Sequence, residues 1–175
     1  MTDIAHASID DLRPILEAFR QVEWPLSRSE LGAVAGELGW QLESDRRRGA
    51  TYVTGLPLAA SYAEALLRED RVEQVKIDLT EVADGRGAAS AQSLREAERE
   101  LVEIATVVIG EPSGNLPRRR RTFWDLATGG RLAIANIQDL VILDVLGPTF
   151  ADTERAEARL GVDPGRVTGV DPEPS

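Results

Sequence analysis

The residues that could do chemistry in this chain are few, and most of them are arginines. Four stand in a row, Arg118 to Arg121, inside "NLPRRRRTFWDLATGG", and three more form the centre of "DRRRG", Asp45 to Gly49. Guanidinium groups bind phosphates, stack on rings and pair bidentately with carboxylates, so such runs mark nucleic-acid grips, protein-docking patches or solvated loop ends. The acids offer less. Asp10/Asp11 and Glu69/Asp70 could pair as general acid and base, but they fit a helix start and a hairpin tip. Asp144 stands alone in the apolar run "DLVILDVLG" and predicts either a sheet edge or a bonded partner on a neighbouring strand. The one histidine, His6, falls near the start, in a stretch expected to be mobile, and there is no cysteine, so Ser–His, thiolate and Cys/His metal chemistry have no residues to use. Neither "GATYVTG" nor "ADGRGAAS" has the spacing of a phosphate-binding loop. We expect no catalysis, no metal and no cofactor.

Charge narrows the arginine question. The chain carries a net charge of -10, and residues 1–117 alone hold 21 acids against 12 bases. A protein that tracks phosphates concentrates positive charge over a face, because affinity scales with the phosphates neutralised. A short basic run on so acidic a body is opposed by the rest of its own field, which argues against nucleic acid. Arginine beside Phe123 and Trp124 is instead the composition enriched where proteins meet. Two arginine tips on an acidic body give a bipolar surface suited to specific pairing. No window is long and apolar enough for a membrane helix, and "MTDIAHASIDDLRP" lacks the basic start and apolar run of a secretory signal. These features predict a cytoplasmic protein.

The elements that must position these residues follow from periodicity. Leu12, Ile15, Leu16, Phe19 and Val22 form the stripe of a first helix, with Asp11 as its expected N-cap and Pro14 in its first turn. Ser27 and Glu30 make a capping box for a second helix that ends at Gly39. "WQLESD", "GATYVTGL", "AASYAEALLRE" and "RVEQVKIDLTEV" read as a meander, although Ala59 to Arg68 fits a helix equally well. A long helix over about 91–109 carries Leu94, Ala97, Leu101, Ile104, Ala105 and Val108 on one side and ends at Gly110. "RTFWDLAT", "RLAIANIQ" and "DLVILDVLG" read as three strands, the first two joined by a tight hairpin at Gly129-Gly130 and the third central in the sheet. A short helix follows around 152–160. The fold class is α+β: two N-terminal helices, an antiparallel β-meander, a long helix, then a second β-meander completing one sheet with helices on one face. Residues 1–160 form a single domain, and 161–175 a flexible acidic Pro/Gly-rich tail.

"ELGW" (Glu37 to Trp40) after two helices, "GEP" (Gly110 to Pro112) closing the long helix, and "TFWDL" (Thr122 to Leu126) before two linked strands resemble a family of small actinobacterial proteins of unknown function, over roughly Leu12 to Pro148. In length, acidity and lack of catalytic residues the chain is most similar to the immunity factor of the tuberculosis necrotizing toxin, an NAD glycohydrolase. That resemblance implies an antitoxin: a cytoplasmic protein, monomeric when free, that binds a cognate toxin one-to-one and blocks its NAD site. On that expectation Glu69, Asp70 and Asp84 are the acidic loop residues that enter a cleft, and Arg46, Arg47, Arg48, Arg118, Arg119 and Arg120 pair at its rim. An acidic α+β domain is also similar to secretion chaperones, which implies the alternative of an adaptor that holds an exported client.

Overall fold

The computed structural model describes residues 4–83 and 88–162. Its first two helices are α1 (Ile9–Gln21) and α2 (Arg28–Glu37), and both start at capping boxes. At α2 the box is the predicted one: the Ser27 hydroxyl accepts from Glu30 N at 3.3 Å, and the Glu30 carboxylate accepts from Ser27 N at 2.7 Å. At α1 the cap is Ser8 rather than Asp11, because Asp11 sits three residues further on and accepts from Ser8 N at 2.9 Å. Pro14 therefore lies inside the helix and not in its first turn. Ser27→Ala removes the hydroxyl that satisfies an otherwise orphaned amide, and is expected to cost about 1 kcal/mol in urea unfolding, with glycine there costing less than alanine.

The meander is β1 (Gln41–Arg46), β2 (Gly49–Val53), β3 (Tyr62–Arg68) and β4 (Arg71–Asp78), so the ambiguous segment around Ala59 to Arg68 is a strand from Tyr62 onward. Its alternation decides it: Ala63, Ala65 and Leu67 are buried while Glu64, Leu66 and Arg68 are exposed. The long helix is α3 (Ala88–Ile109), and the second meander is β5 (Gly114–Leu116), β6 (Arg121–Asp125), β7 (Arg131–Ile137) and β8 (Leu140–Leu146). The three-residue β5 and the single 3-10 turn after it, Pro117–Arg119, carry no periodic signal and escape sequence reading. Residues 126–130, not a two-residue turn, join β6 to β7. Gly129 takes φ +97°, and Gly130 lies so close to Trp24 that a Cβ there would stand 2.5 Å from the indole Nε1.

All eight strands form one antiparallel sheet in the order β1-β2-β3-β4-β8-β7-β6-β5, so β8 is central as its apolar composition predicts. One face carries Tyr52, Val75, Ile77, Leu132, Ile134, Leu143 and Val145 into the core beneath α1, α2 and α3. Phe19, Trp40 and Tyr52 run through it as an aromatic row, with ring centroids 6.1 and 6.2 Å apart. The last helix, α4 (Pro148–Leu160), begins four residues before the predicted start and crosses the opposite face, over β8 and its neighbours. Helices thus cover most of one face and part of the other, leaving β1 and the outer face of β2 and β3 open. His6 is not in a loose terminus: it bridges Thr80, and its Nε2 stands 3.1 Å from Glu100. Residues 163–175, most of the expected tail, lie outside the described residues.

Candidate protein-docking site

At one end of the sheet the β1–β2 and β3–β4 turns stand side by side, and one arginine fixes both. Arg28, the first residue of α2, donates from Nε to Asp70 at 2.8 Å and from Nη2 to the carbonyls of Arg46 and Arg47, each at 3.1 Å; its Nη1 meets Asp45. Its backbone N–H also bonds Asp70 O at 3.0 Å. The hydrogen bond to Asp70, with the charges of Asp45 and Asp70 adding to it, raises the Arg28 pKa further above its ordinary value. Glu69 and Asp70 both take positive φ, 49° and 65°, as a two-residue turn with right-handed strand twist requires. Arg46, Arg47, Arg48 and Glu69 remain exposed around this fixed corner.

From the corner an open concavity of about 740 Å³ runs across the outer face of β1 to β3, lined by Glu43, Ser44, Arg46, Arg48, Tyr62 and Glu64. Gly49 forms part of its wall, where a Cβ would come within 3.1 Å of Ala65 O. Val53 and Leu66 stand on the same face, 37% and 43% exposed. β1 is the outermost strand, every residue exposed but Ser44, and a bulge between Leu42 and Ser44 interrupts its register. At the far side of this open face Asp78 is half-buried and accepts from Tyr62 N at 3.1 Å. Burial pushes its pKa up, Glu64 pushes the same way, and the Tyr62 bond offsets only part. Native Asp78 therefore binds its proton more tightly than the unfolded chain does, so its contribution to stability is present at low pH and lost as pH rises above the ordinary carboxylate range. Asp78→Asn, which mimics the protonated acid and keeps an acceptor for Tyr62, is expected to raise the urea midpoint at pH 7 and leave it unchanged at pH 3.

The expected interface residues divide into two places. Arg46, Arg47, Arg48, Glu69 and Asp70 converge at the corner, although Asp70 is committed to Arg28. Arg118, Arg119 and Arg120 lie at the opposite end of the sheet, beside the start of β6, because Arg121 pairs with Ala135 while Arg131 pairs with Leu146. They are not a uniformly solvated run. Arg119 stands 3.7 Å from both Glu154 and Glu157 of α4, and Arg120 turns the chain at φ 46°. Arg121 is largely covered and meets Asp144 at 2.8 Å. Asp84 lies outside the described residues. Tyr62 and Glu64 were missed because, with the third segment open between helix and strand, its outward face could not be assigned, and Glu43 and Ser44 because the bulge in β1 breaks the alternation that would have faced them. Arg28 gives no signal at all, being an ordinary first residue of a helix.

Three of the five acids weighed for acid–base work have structural partners. Asp11 completes a cap, Asp70 ties the corner, and Asp144 accepts from Gln74 Nε2 at 2.7 Å on the neighbouring strand as well as meeting Arg121. Among the described residues no three histidine, aspartate or glutamate side chains stand close enough to hold a metal, and no helix is long and apolar enough to cross a membrane. A family model described as a family of unknown function, DUF6301, matches residues 10–147, from α1 to the end of β8. No curated protein and no solved structure matches the chain.

Proposed function

The chain belongs to the DUF6301 family of unknown function, and we propose that it is an immunity protein, an antitoxin that binds a cognate NAD-hydrolysing toxin domain one-to-one and blocks its active site. The observation that carries this reading is the fixed arginine corner beside an open half-sheet. A tight inhibitor gains affinity when its contact residues are ordered before the partner arrives, and Arg28 orders two turns at once. The concavity next to them is open and largely polar at its walls, and Val53 and Leu66 stand exposed on the same sheet face, the mixture of a docking face rather than of a small-molecule pocket. A cleft that holds the pyrophosphate of NAD is positive, and a body of net charge -10 is drawn to it.

In this reading Glu69, with Glu43 and Glu64 of the concavity, faces the cleft. Arg46, Arg47 and Arg48 pair with acids at its rim, and Asp70 serves by holding the corner through Arg28. The resemblance that suggested the partner rests on short motifs with local duties: Gly39 closes α2 at φ 73°, and Trp124 Nε1 donates to Gly110 O at 2.8 Å. Titrating the protein into a purified NAD glycohydrolase toxin domain while following NAD loss is expected to give inhibition that saturates at one-to-one. Undiminished NAD loss at excess protein would remove this partner.

One observation favours a second reading, a secretion chaperone or adaptor. β1 is an edge strand beside exposed Leu42, Val53 and Leu66, where an extended client segment could add as a ninth strand. Its bulge and its charges at Glu43, Asp45 and Arg46 are features that blunt such edges, which places this reading second.

A further inference from the structure

α4 is held on the sheet by charge far more than by apolar burial. Ala151 is its one fully buried residue, with Pro148 and Phe150 half-buried at its first turn. Its remaining grip is ionic. Glu154 accepts from Arg131 Nη1 at 2.9 Å and stands 3.4 Å from Arg121 and 3.7 Å from Arg119. Glu157 stands 3.7 Å from Arg119, and Arg155 donates to Asp125 at 2.7 Å. Ion pairs taken out of water roughly offset their own desolvation, so they fix where a helix sits more than how firmly it stays. A segment attached in this way opens locally more often than the whole protein unfolds. The joint is suited to that: α4 starts at Gly147 with no side-chain cap, one residue past the end of the β8 strand.

What α4 covers is a niche for a carboxylate. Three guanidinium groups, those of Arg119, Arg121 and Arg131, converge on Glu154, and Arg131 is held in place from below by the Phe123 ring, 3.9 Å from its centroid. The niche has donor capacity that Glu154 leaves unused. Among the described residues buried Arg121 Nε has no hydrogen-bond partner, and Arg121 Nη2 reaches Asp144 at ion-pair distance without hydrogen-bond alignment. We propose that α4 is a displaceable strap over this niche, and that an acidic segment of a protein partner takes the place of Glu154 when the strap opens. This second site lies on the other half of the outer face from the arginine corner, and it does not depend on the partner being a toxin.

Hydrogen exchange on the full chain at pH 7 tests it. Amides of α4 beyond its first turn are expected to exchange together and at least tenfold faster than those of β7 and β8; equal protection would overturn the strap. Added hexaglutamate peptide is expected to speed α4 exchange at least threefold further, while hexalysine leaves it unchanged. No effect of hexaglutamate, or an equal effect of both peptides, would overturn the niche. Glu154→Gln with Glu157→Gln should respond at least tenfold lower in hexaglutamate, with protection in β7 and β8 reporting that the sheet is intact. Should that variant fail to fold, the wild-type peptide comparison still decides.

Discussion

Asp144→Ala is expected to destabilise the protein by about 3–5 kcal/mol, the effect of leaving a buried charge without its counterion. The Asp144 side chain is 3% exposed and that of Arg121 11%, so water cannot replace the lost carboxylate. Glu154 at 3.4 Å is the remaining acid beside Arg121, and it already serves Arg131. Gln74 loses its acceptor in the same step. Arg121→Met combined with Asp144→Leu removes both charges and fills the space, and should recover most of the loss. Urea unfolding of Arg121→Met, Asp144→Leu and the double measures the coupling directly. A cost below about 1 kcal/mol for Asp144→Ala would mean that solvent reaches Arg121.

Asp144 also shows how far the sequence could be read. An acid in an apolar strand signals a bonded partner, and Gln74 on the adjoining β4 is one. The charged partner is Arg121, which lies beyond β7 and not next to β8 at all. It reaches Asp144 because between them β7 presents the small side chains of Ala133 and Ala135, paired with Asp144 and Ile142, and a long side chain can cross over them. In "RLAIANIQ" the alanines read as generic small core residues; their use as a passage for an arginine appears only once strand order is known. The same limit governs the arginine run. Composition shows four adjacent cations, but which is buried, which braces α4 and which turns the chain depends on the 3-10 turn, too short to leave a pattern. The elements with many periods of repeat, α3, β4 and β8, were legible, because each residue in them restates the same face. Single-contact devices such as Arg28 were not.

The corner and the opposite end separate two roles that the sequence could not. Arg46→Glu with Arg48→Glu reverses two exposed charges beside the concavity, and is expected to weaken partner binding about 10–100-fold while moving stability by less than about 0.5 kcal/mol. Rim charges act through encounter, so most of that loss should appear in the association rate and shrink as salt is raised. Arg119→Glu with Arg120→Glu should do the reverse. Arg119 faces Glu154 and Glu157, and a glutamate there repels both, so the melting temperature falls while affinity at the corner stays within about threefold. Arg28→Ala adds a third distinction, because it leaves every contact charge in place and removes only the tie between the two turns. Its expected effect is a loss of affinity through faster dissociation, since Glu69 and the arginine tip must then be ordered at the moment of binding. Equal losses from the corner pair and the Arg119/Arg120 pair would mean that the partner engages both halves of the outer face at once, because no single rigid contact confined to the corner reaches both ends of the sheet.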